Sequence, residues 1–300
     1  VPRGALATRR LPRPRALGDP VPPTGLVLLA VGSVQFGAAL ARTLFDDLGA
    51  GGTVFLRVLF AALVLWALWR PRIRGHTRAE LALACAFGLA LAGMNLAFYE
   101  ALARIPLGVA VTFEFVGPLG VAVAGSRRAL DLLWVALAAA GILLLTDPGQ
   151  GGGLNAAGMG LAVVAGAFWA AYILLSARTG RVFPGGAGLA LAMALGALVL
   201  VPVGVVSGGS ALLEPRLLAL GAAVAILSSA IPYSLELEAL RRLPTRVFGV
   251  LMSLEPAVAA IAGFVVLGQV LQARELVAIA LVVAASAGVT RTAPTPPRDA

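Results

Sequence analysis

The stretch Glu100–Pro118, EALARIPLGVAVTFEFVGP, returns without a gap as Glu238–Pro256, EALRRLPTRVFGVLMSLEP, 138 residues further on. Seven of the nineteen positions are identical: Glu100/Glu238, Ala101/Ala239, Leu102/Leu240, Arg104/Arg242, Pro106/Pro244, Val109/Val247 and Pro118/Pro256. Two of those pairs are charged and two are proline, types that enrichment in alanine, leucine and valine does not generate. The chain therefore reads as two copies of one unit. Each copy has a charged helix exit, a tight turn closed by proline, and an apolar helix broken near its middle by a second proline, Pro118 or Pro256. Proline breaks a helix there because it removes an amide donor and crowds the preceding turn.

These copies sit in a chain of 300 residues that is 60% hydrophobic and 12% charged, with a mean hydropathy of +0.95. Soluble domains carry about 25% charged residues, so the composition excludes them and defines an integral membrane protein. Apolar runs bounded by polar residues mark ten spans: 24–44, 52–69, 80–101, 106–125, 130–146, 157–177, 185–207, 216–237, 244–267 and 275–290. About 20 apolar residues cross the hydrocarbon as a helix, whereas a transmembrane strand needs about ten with alternating polarity. The fold class is all-α, and the short glycine- and proline-rich loops leave no room for an extramembrane domain.

Orientation follows from the basic residues, all 23 of them arginine. Eighteen fall in the tails and alternate loops, among them Arg70, Arg72, Arg74 and Arg78, then Arg178 and Arg181, then Arg241, Arg242 and Arg246. Only Arg42, Arg57, Arg104, Arg216 and Arg274 lie on or toward the other side. Arginine-rich segments stay in the cytoplasm, which places both termini there, in the inner or plasma membrane. Five spans per copy is odd, so the second copy enters the membrane upside down. The expected organisation is a disordered N-tail over 1–23, a first five-helix repeat over 24–146, an inverted second repeat over 157–290 and a C-tail over 291–300. Inverted repeats give many secondary transporters two states of opposite access from one packing pattern.

The net charge of +9 marks cytoplasmic loops and not a nucleic-acid partner. Cys85 is alone and reads as a small core residue, and His76 lies in a loop of arginines, so no metal site or cofactor is expected. The loop Gly149-Gln-Gly-Gly-Gly lacks the strand before and the Lys-Ser/Thr after that a phosphate cradle requires.

Glu114 and Glu255 fall near the middle of spans 4 and 9. A carboxylate at that depth costs several kcal/mol unless it is protonated, paired or wetted. Its default reading is function, in transport or proton coupling, against a structural carboxylate bonded to a neighbouring helix. The 138-residue offset aligns Glu255 with Gly117, one turn from Glu114, so each copy sets a glutamate beside its helix-breaking proline. Glu100, Glu236 and Glu238 lie near span ends and read as border residues that reach water. Asn95 and Tyr233 are equivalent under the offset, and with Thr112 and Arg57 they complete the candidate cavity for a polar solute. Small-residue stripes such as Ser33/Gly37/Ala41, Gly158/Ala162/Gly166/Ala170 and Ala280/Ala284/Gly288 read as close helix packing and leave a homodimer open.

The segments Ile105–Pro118, Ala225–Glu236 and Leu243–Pro256, with Gly166–Ile173 in span 6, resemble the EamA branch of the drug/metabolite transporter superfamily across essentially all ten spans. Within it the chain is most similar to the RhtA-type threonine/homoserine exporters. The resemblance implies a five-plus-five helix fold around a central cavity, and export of small amphipathic metabolites from the cytoplasm against protons. One departure stands out: the family often ends span 9 with Leu-Gly-Glu, and this chain has Leu267-Gly268-Gln269.

The expected function is export of a small neutral amino acid by proton antiport, with the bilayer, the amino acid and the proton as partners and no enzyme activity. One rival keeps the fold and carries another metabolite or a cationic drug. Another is an intramembrane transferase, for which the loops offer no catalytic cluster. Single cysteines at Gly75 and Gly151, in a Cys85-free background, test the orientation on intact cells. An impermeant thiol reagent is expected to label position 151 and spare position 75, and the reverse pattern overturns the topology.

Overall fold

A computed structural model describes residues 21–72, 75–124, 129–145, 155–242, 248 and 251–292, and among these there is no strand. Most of the N-tail, the 146–154 glycine loop, the second copy's Pro244 turn and most of the C-tail lie outside them. The helices are α1 (Pro23–Arg42), α2 (Phe45–Trp69), α3 (Arg78–Leu102), α4 (Leu107–Glu114), α5 (Val116–Ala124), α6 (Ala129–Leu145), α7 (Ala156–Val182), α8 (Ala187–Gly208), α9 (Pro215–Ala225), α10 (Ile231–Arg242), α11 (Glu255–Leu267) and α12 (Ala273–Thr292). Hydrocarbon offers no partner to a free backbone group, so each apolar run closes its own hydrogen bonds as a helix. Six helical stretches are long and apolar enough for a full crossing, and Leu107–Val121, Leu133–Leu144 and Glu255–Leu267 are shorter apolar helices. With α4 and α5 forming span 4, α9 and α10 forming span 8, and α12 as span 10, the described helices group into ten rods.

Helix ends follow local chemistry. Thr77 and Glu80 form a reciprocal capping box at the start of α3, and the Asn155 side chain accepts from Gly158 N at 2.9 Å to start α7. At the end of α11, Gly268 takes the left-handed conformation, φ 64°, which glycine adopts without strain. There the amide of Gln269 donates to the Gly263 carbonyl and that of Gly268 to Phe264, closing the last turn.

Packing between the halves is two-fold. Span 3 packs on span 6 as span 8 packs on span 1, span 4 on span 6 as span 9 on span 1, and span 3 on span 7 as span 8 on span 2. Spans 2 and 7, 4 and 9, and 5 and 10 pack on each other, each pair mapping onto itself when the halves are exchanged. Since five antiparallel steps separate equivalent spans, the two five-helix repeats are inverted. The outer surface is apolar, with Leu143, Leu198 and Val206 turned outward toward lipid.

Two sequence expectations change. Cys85 is exposed on α3, on its outward side and away from the core. In span 10 the buried face is Ala278, Val282, Ala285 and Gly288, which packs on α6, so Ala280 and Ala284 of the expected stripe point outward. Successive small residues at a four-residue spacing drift around the helix by about 40° per step, and only part of such a stripe meets one neighbour.

The closest backbone approach lies at the break in span 4. A Cβ on Gly117 would strike the Gly166 carbonyl of α7, and one on Gly166 would lie 2.5 Å from the Glu114 carbonyl oxygen. Both contacts are backbone, which cannot swing aside. Gly166→Ala is therefore expected to lose about 1–3 kcal/mol of stability by overpacking. Gly160→Ala on the same helix, where a Cβ meets nothing within 4 Å, should stay level or rise by less than about 1 kcal/mol. Thermal unfolding midpoints of the two variants check this, and equal midpoints would contradict it.

Candidate functional site

Three prolines build the site. A proline cannot donate to the carbonyl four residues before it, so Pro118 frees Glu114 C=O, Pro256 frees Met252 C=O and Pro232 frees Ser228 C=O. Span 4 parts accordingly, with α4 ending at Glu114 and α5 starting at Val116. Span 9 makes a turn at residues 253 and 254 immediately ahead of Glu255, at the position that the 138-residue offset maps onto Phe115. Span 8 opens into a π-helical turn over Ile226–Ala230. Wide turns of this kind recur at functional sites. Here the turn presents two carbonyls sideways: Leu227 O accepts from Ser33 Oγ of α1 at 2.7 Å, and Ser228 O accepts from Arg57 Nη2 of α2 at 3.2 Å.

These breaks surround a cavity of about 610 Å³ between the halves. Among the described residues its charged groups are Arg57, Glu114, Glu236 and Glu255. Arg57 is 8% exposed, makes no ion pair among the described residues, and lies 5.4 Å from the centroid of the Tyr99 ring. A guanidinium so placed is held by one carbonyl and one aromatic face, which leaves donors for an anionic guest. Glu255 is 5% exposed, and its Oε2 accepts a long bond from Gln35 Nε2 at 3.5 Å, while Gln35 Oε1 has no partner. Glu114 is 9% exposed, and its carboxyl group has neither a hydrogen bond nor an ion pair among the described residues.

Asn95 and Tyr233, paired by the offset, both line the cavity, and Asn95 Nδ2 donates to Leu91 O at 2.8 Å, which turns its carbonyl oxygen to the remaining partners. Pro118 lines it as well, whereas Pro256 is buried beside Glu255 and shapes the break without reaching the space. Thr112 is not brought to the cavity. It lies two residues from Glu114, roughly 200° around the helix, and its hydroxyl donates to Gly108 O at 2.6 Å.

Sequence reasoning misses Gln35, Ser228 and Glu236, which also line the cavity. Glu236 reads as a border residue because the apolar run ends near it, yet α10 continues to Arg242 and carries Glu236 to the cavity wall. Its spacing from Pro232, one turn away, is the signal that could have found it. Glu100 does lie at a border, paired with Arg104 at 2.6 Å on the surface. The Glu238 side chain lies outside the described residues. Of the aromatic residues, Phe115 meets Trp169 edge-on with centroids 5.4 Å apart and Tyr172 meets Phe87, while Phe113 is buried in the core.

The cavity is sealed on one side and extended on the other. Toward the Arg42/Arg104 end, Leu44, Leu48, Tyr99 and Leu102 are at most 1% exposed. Toward the arginine-rich end a second chamber of about 490 Å³ adjoins it, sharing Tyr172, Ser176, Tyr233 and Glu236.

An inverted-repeat helical bundle that encloses a polar cavity at helix breaks is the architecture of a membrane transporter. The chain belongs to the EamA-like transporter family, a family of transporters and not of enzymes. Residues 156–291 match that family. The threonine/homoserine exporters RhtA of Salmonella typhimurium and of Escherichia coli are each 45% identical to it over 272 residues, which is 90% of this chain and 92% of theirs. A crystal structure of a protein 18% identical superposes with a TM-score of 0.61 over 89% of this chain and 97% of its own, and so shows the same fold.

Gln269, the residue that departs from the Leu-Gly-Glu ending, makes a polar contact with the start of α4. Its Oε1 accepts from Leu107 N at 3.0 Å, satisfying one of the free amides at the start of α4. An amide oxygen serves there as a carboxylate oxygen would. Gln269→Glu is expected to keep the stability of the parent. Gln269→Leu strands a buried amide at a cost of about 1–3 kcal/mol, read as a lower unfolding midpoint; equal midpoints for Leu and Glu would contradict this role.

Proposed function

We propose that the protein exports small hydroxylated amino acids such as threonine and homoserine from the cytoplasm in exchange for protons. The observation that carries this is the charge arrangement of the cavity: one buried guanidinium, Arg57, faces the same space as Glu114 and Glu255. A zwitterion leaving water needs a partner at each end. Arg57 takes the carboxylate, the glutamates take the ammonium, and Asn95 and Tyr233 supply hydrogen bonds. Relatives 45% identical carry the name of threonine/homoserine exporters, which supports the same cargo here.

In this reading the protein lies in the inner membrane with both termini in the cytoplasm. Its repeats run over 24–146 and 157–290, flanked by the tails 1–23 and 291–300. The second chamber then makes this the inward-facing state. The amino acid enters and displaces protons from Glu114 and Glu255, the halves exchange packing, and the cargo leaves on the far side, where protons return to the carboxylates. The cycle is an exchange because ammonium and proton compete for the same oxygens. Thr112 keeps its buried hydroxyl satisfied within α4 through its bond to Gly108, and Pro118 and Pro256 act as equivalent kinks. The outward-facing Ala280 and Ala284 offer a second copy a close approach.

Cells stripped of their own exporters and expressing this chain are expected to tolerate more homoserine and threonine. Preloaded vesicles should lose labelled threonine faster when an inward proton gradient is imposed. Glu114→Gln and Glu255→Gln keep shape and remove charge, and each should lower proton-driven efflux by about tenfold or more, the scale of a lost charged hydrogen bond. Full proton-dependent efflux with an unchanged pH profile in both variants would overturn the coupling. Efflux of a lipophilic cation with neither amino acid moving would overturn the cargo.

A further inference from the structure

The second chamber differs in charge from the first. It shares Glu236 with the main cavity but is not lined by Arg57, Glu114 or Glu255. Trp69, Phe87 and Phe183 form its apolar walls, with Tyr172 and Tyr233 at the junction. The Glu236 carboxyl group has neither a hydrogen bond nor an ion pair among the described residues. Thr179, 2% exposed, lines the same space, and its hydroxyl has no partner either. Arg178 and Arg181 of the same helix are exposed and do not line it. A carboxylate and a free hydroxyl among aromatic faces, with no lining cation among the described residues, suit an alkylammonium group and repel a carboxylate.

The duplication sharpens this. The 138-residue offset places Phe98 at the position equivalent to Glu236, so the first copy has no carboxylate there. Among the described residues the feature lies toward the arginine-rich end.

We propose that the second chamber is a capture site for the ammonium end of the cargo at the arginine-rich mouth, with Glu236 as the carboxylate that passes the ammonium into the main cavity. The amino acid enters ammonium first, held by Glu236 and Thr179 between aromatic walls, and then turns its carboxylate to Arg57. One-sided capture favours loading from that side without changing the overall equilibrium. The proposal rests on an amino acid as cargo, and its test separates the two.

Ser176 lines both chambers, so Ser176→Cys in a Cys85-free background sets a thiol at the junction with a one-atom change. In purified, reconstituted protein, the cationic ethylammonium thiosulfonate is expected to modify it about tenfold faster than the anionic sulfonate reagent, the scale of a singly charged cleft. Glu236→Gln should remove that preference, while the uncharged methyl reagent reacts equally in both backgrounds and so reports an intact fold. Added threonine should slow modification. In the native-serine background Glu236→Gln should raise KM for threonine efflux about tenfold, with a smaller loss of maximal rate and recovery in Glu236→Asp. A reagent preference untouched by Glu236→Gln, or an unchanged KM, overturns the capture site and leaves the cargo reading standing. Protection by tetramethylammonium but by neither threonine nor homoserine supports a cation site and overturns the amino-acid cargo.

Discussion

A helix in hydrocarbon has nowhere to send a carbonyl that loses its amide donor, and three such donors are lost at the helix breaks around the cavity. Pro118, Pro232 and Pro256 each free a carbonyl within an apolar run, at Glu114, Ser228 and Met252. The freed groups must meet polar or close-packed neighbours. Arg57 takes Ser228 O, and the α7 backbone, bare at Gly166, closes on Glu114 O. The charged groups of the cavity gather at these breaks. An arginine buried at mid-membrane persists because that carbonyl and the Tyr99 ring hold it, and the carboxylates persist because the same breaks open space beside them.

The second constraint is the inverted duplication. Exchange of the halves maps the helix contacts onto one another, so the packing that seals one end has a counterpart available at the other. A bundle with that property holds two arrangements of opposite access without new contacts having to be invented for the second. Departures from the symmetry then carry direction. Glu255 has glycine as its equivalent, Glu114 has methionine and Glu236 has phenylalanine. Chemistry is thus distributed unevenly over a framework that is even.

Much of this was legible in the sequence, and the reasons are physical. Hydrocarbon thickness fixes helix length, so apolar runs gave ten spans whose ends fall within about five residues of the helices wherever both are described, except that α2 begins at Phe45, ahead of the expected start at 52. Proline at a fixed offset gave the breaks. Glu114 and Glu255 were visible because a charge inside an apolar run is costly and seldom kept without a use. Thr112 was misdirecting, since its back-bond to Gly108 and its angular position around α4 depend on rotation that a string of polar residues does not convey. Glu236 was hidden by the apolar run ending before the helix does. Gln35 and the Ser228 carbonyl carry no signature, because a neutral amide and a backbone oxygen acquire meaning only through what packs against them.

The proposed competition of amino acid and proton for the carboxylates of one cavity is tested most directly by proton release on binding. Threonine added to purified protein in weak buffer with a pH indicator should acidify the solution, and its affinity should fall as pH is lowered, because protons then occupy the oxygens the ammonium needs. Protein carrying both Glu114→Gln and Glu255→Gln should release none. Threonine that binds with no proton release and with the same affinity at every pH would contradict the account.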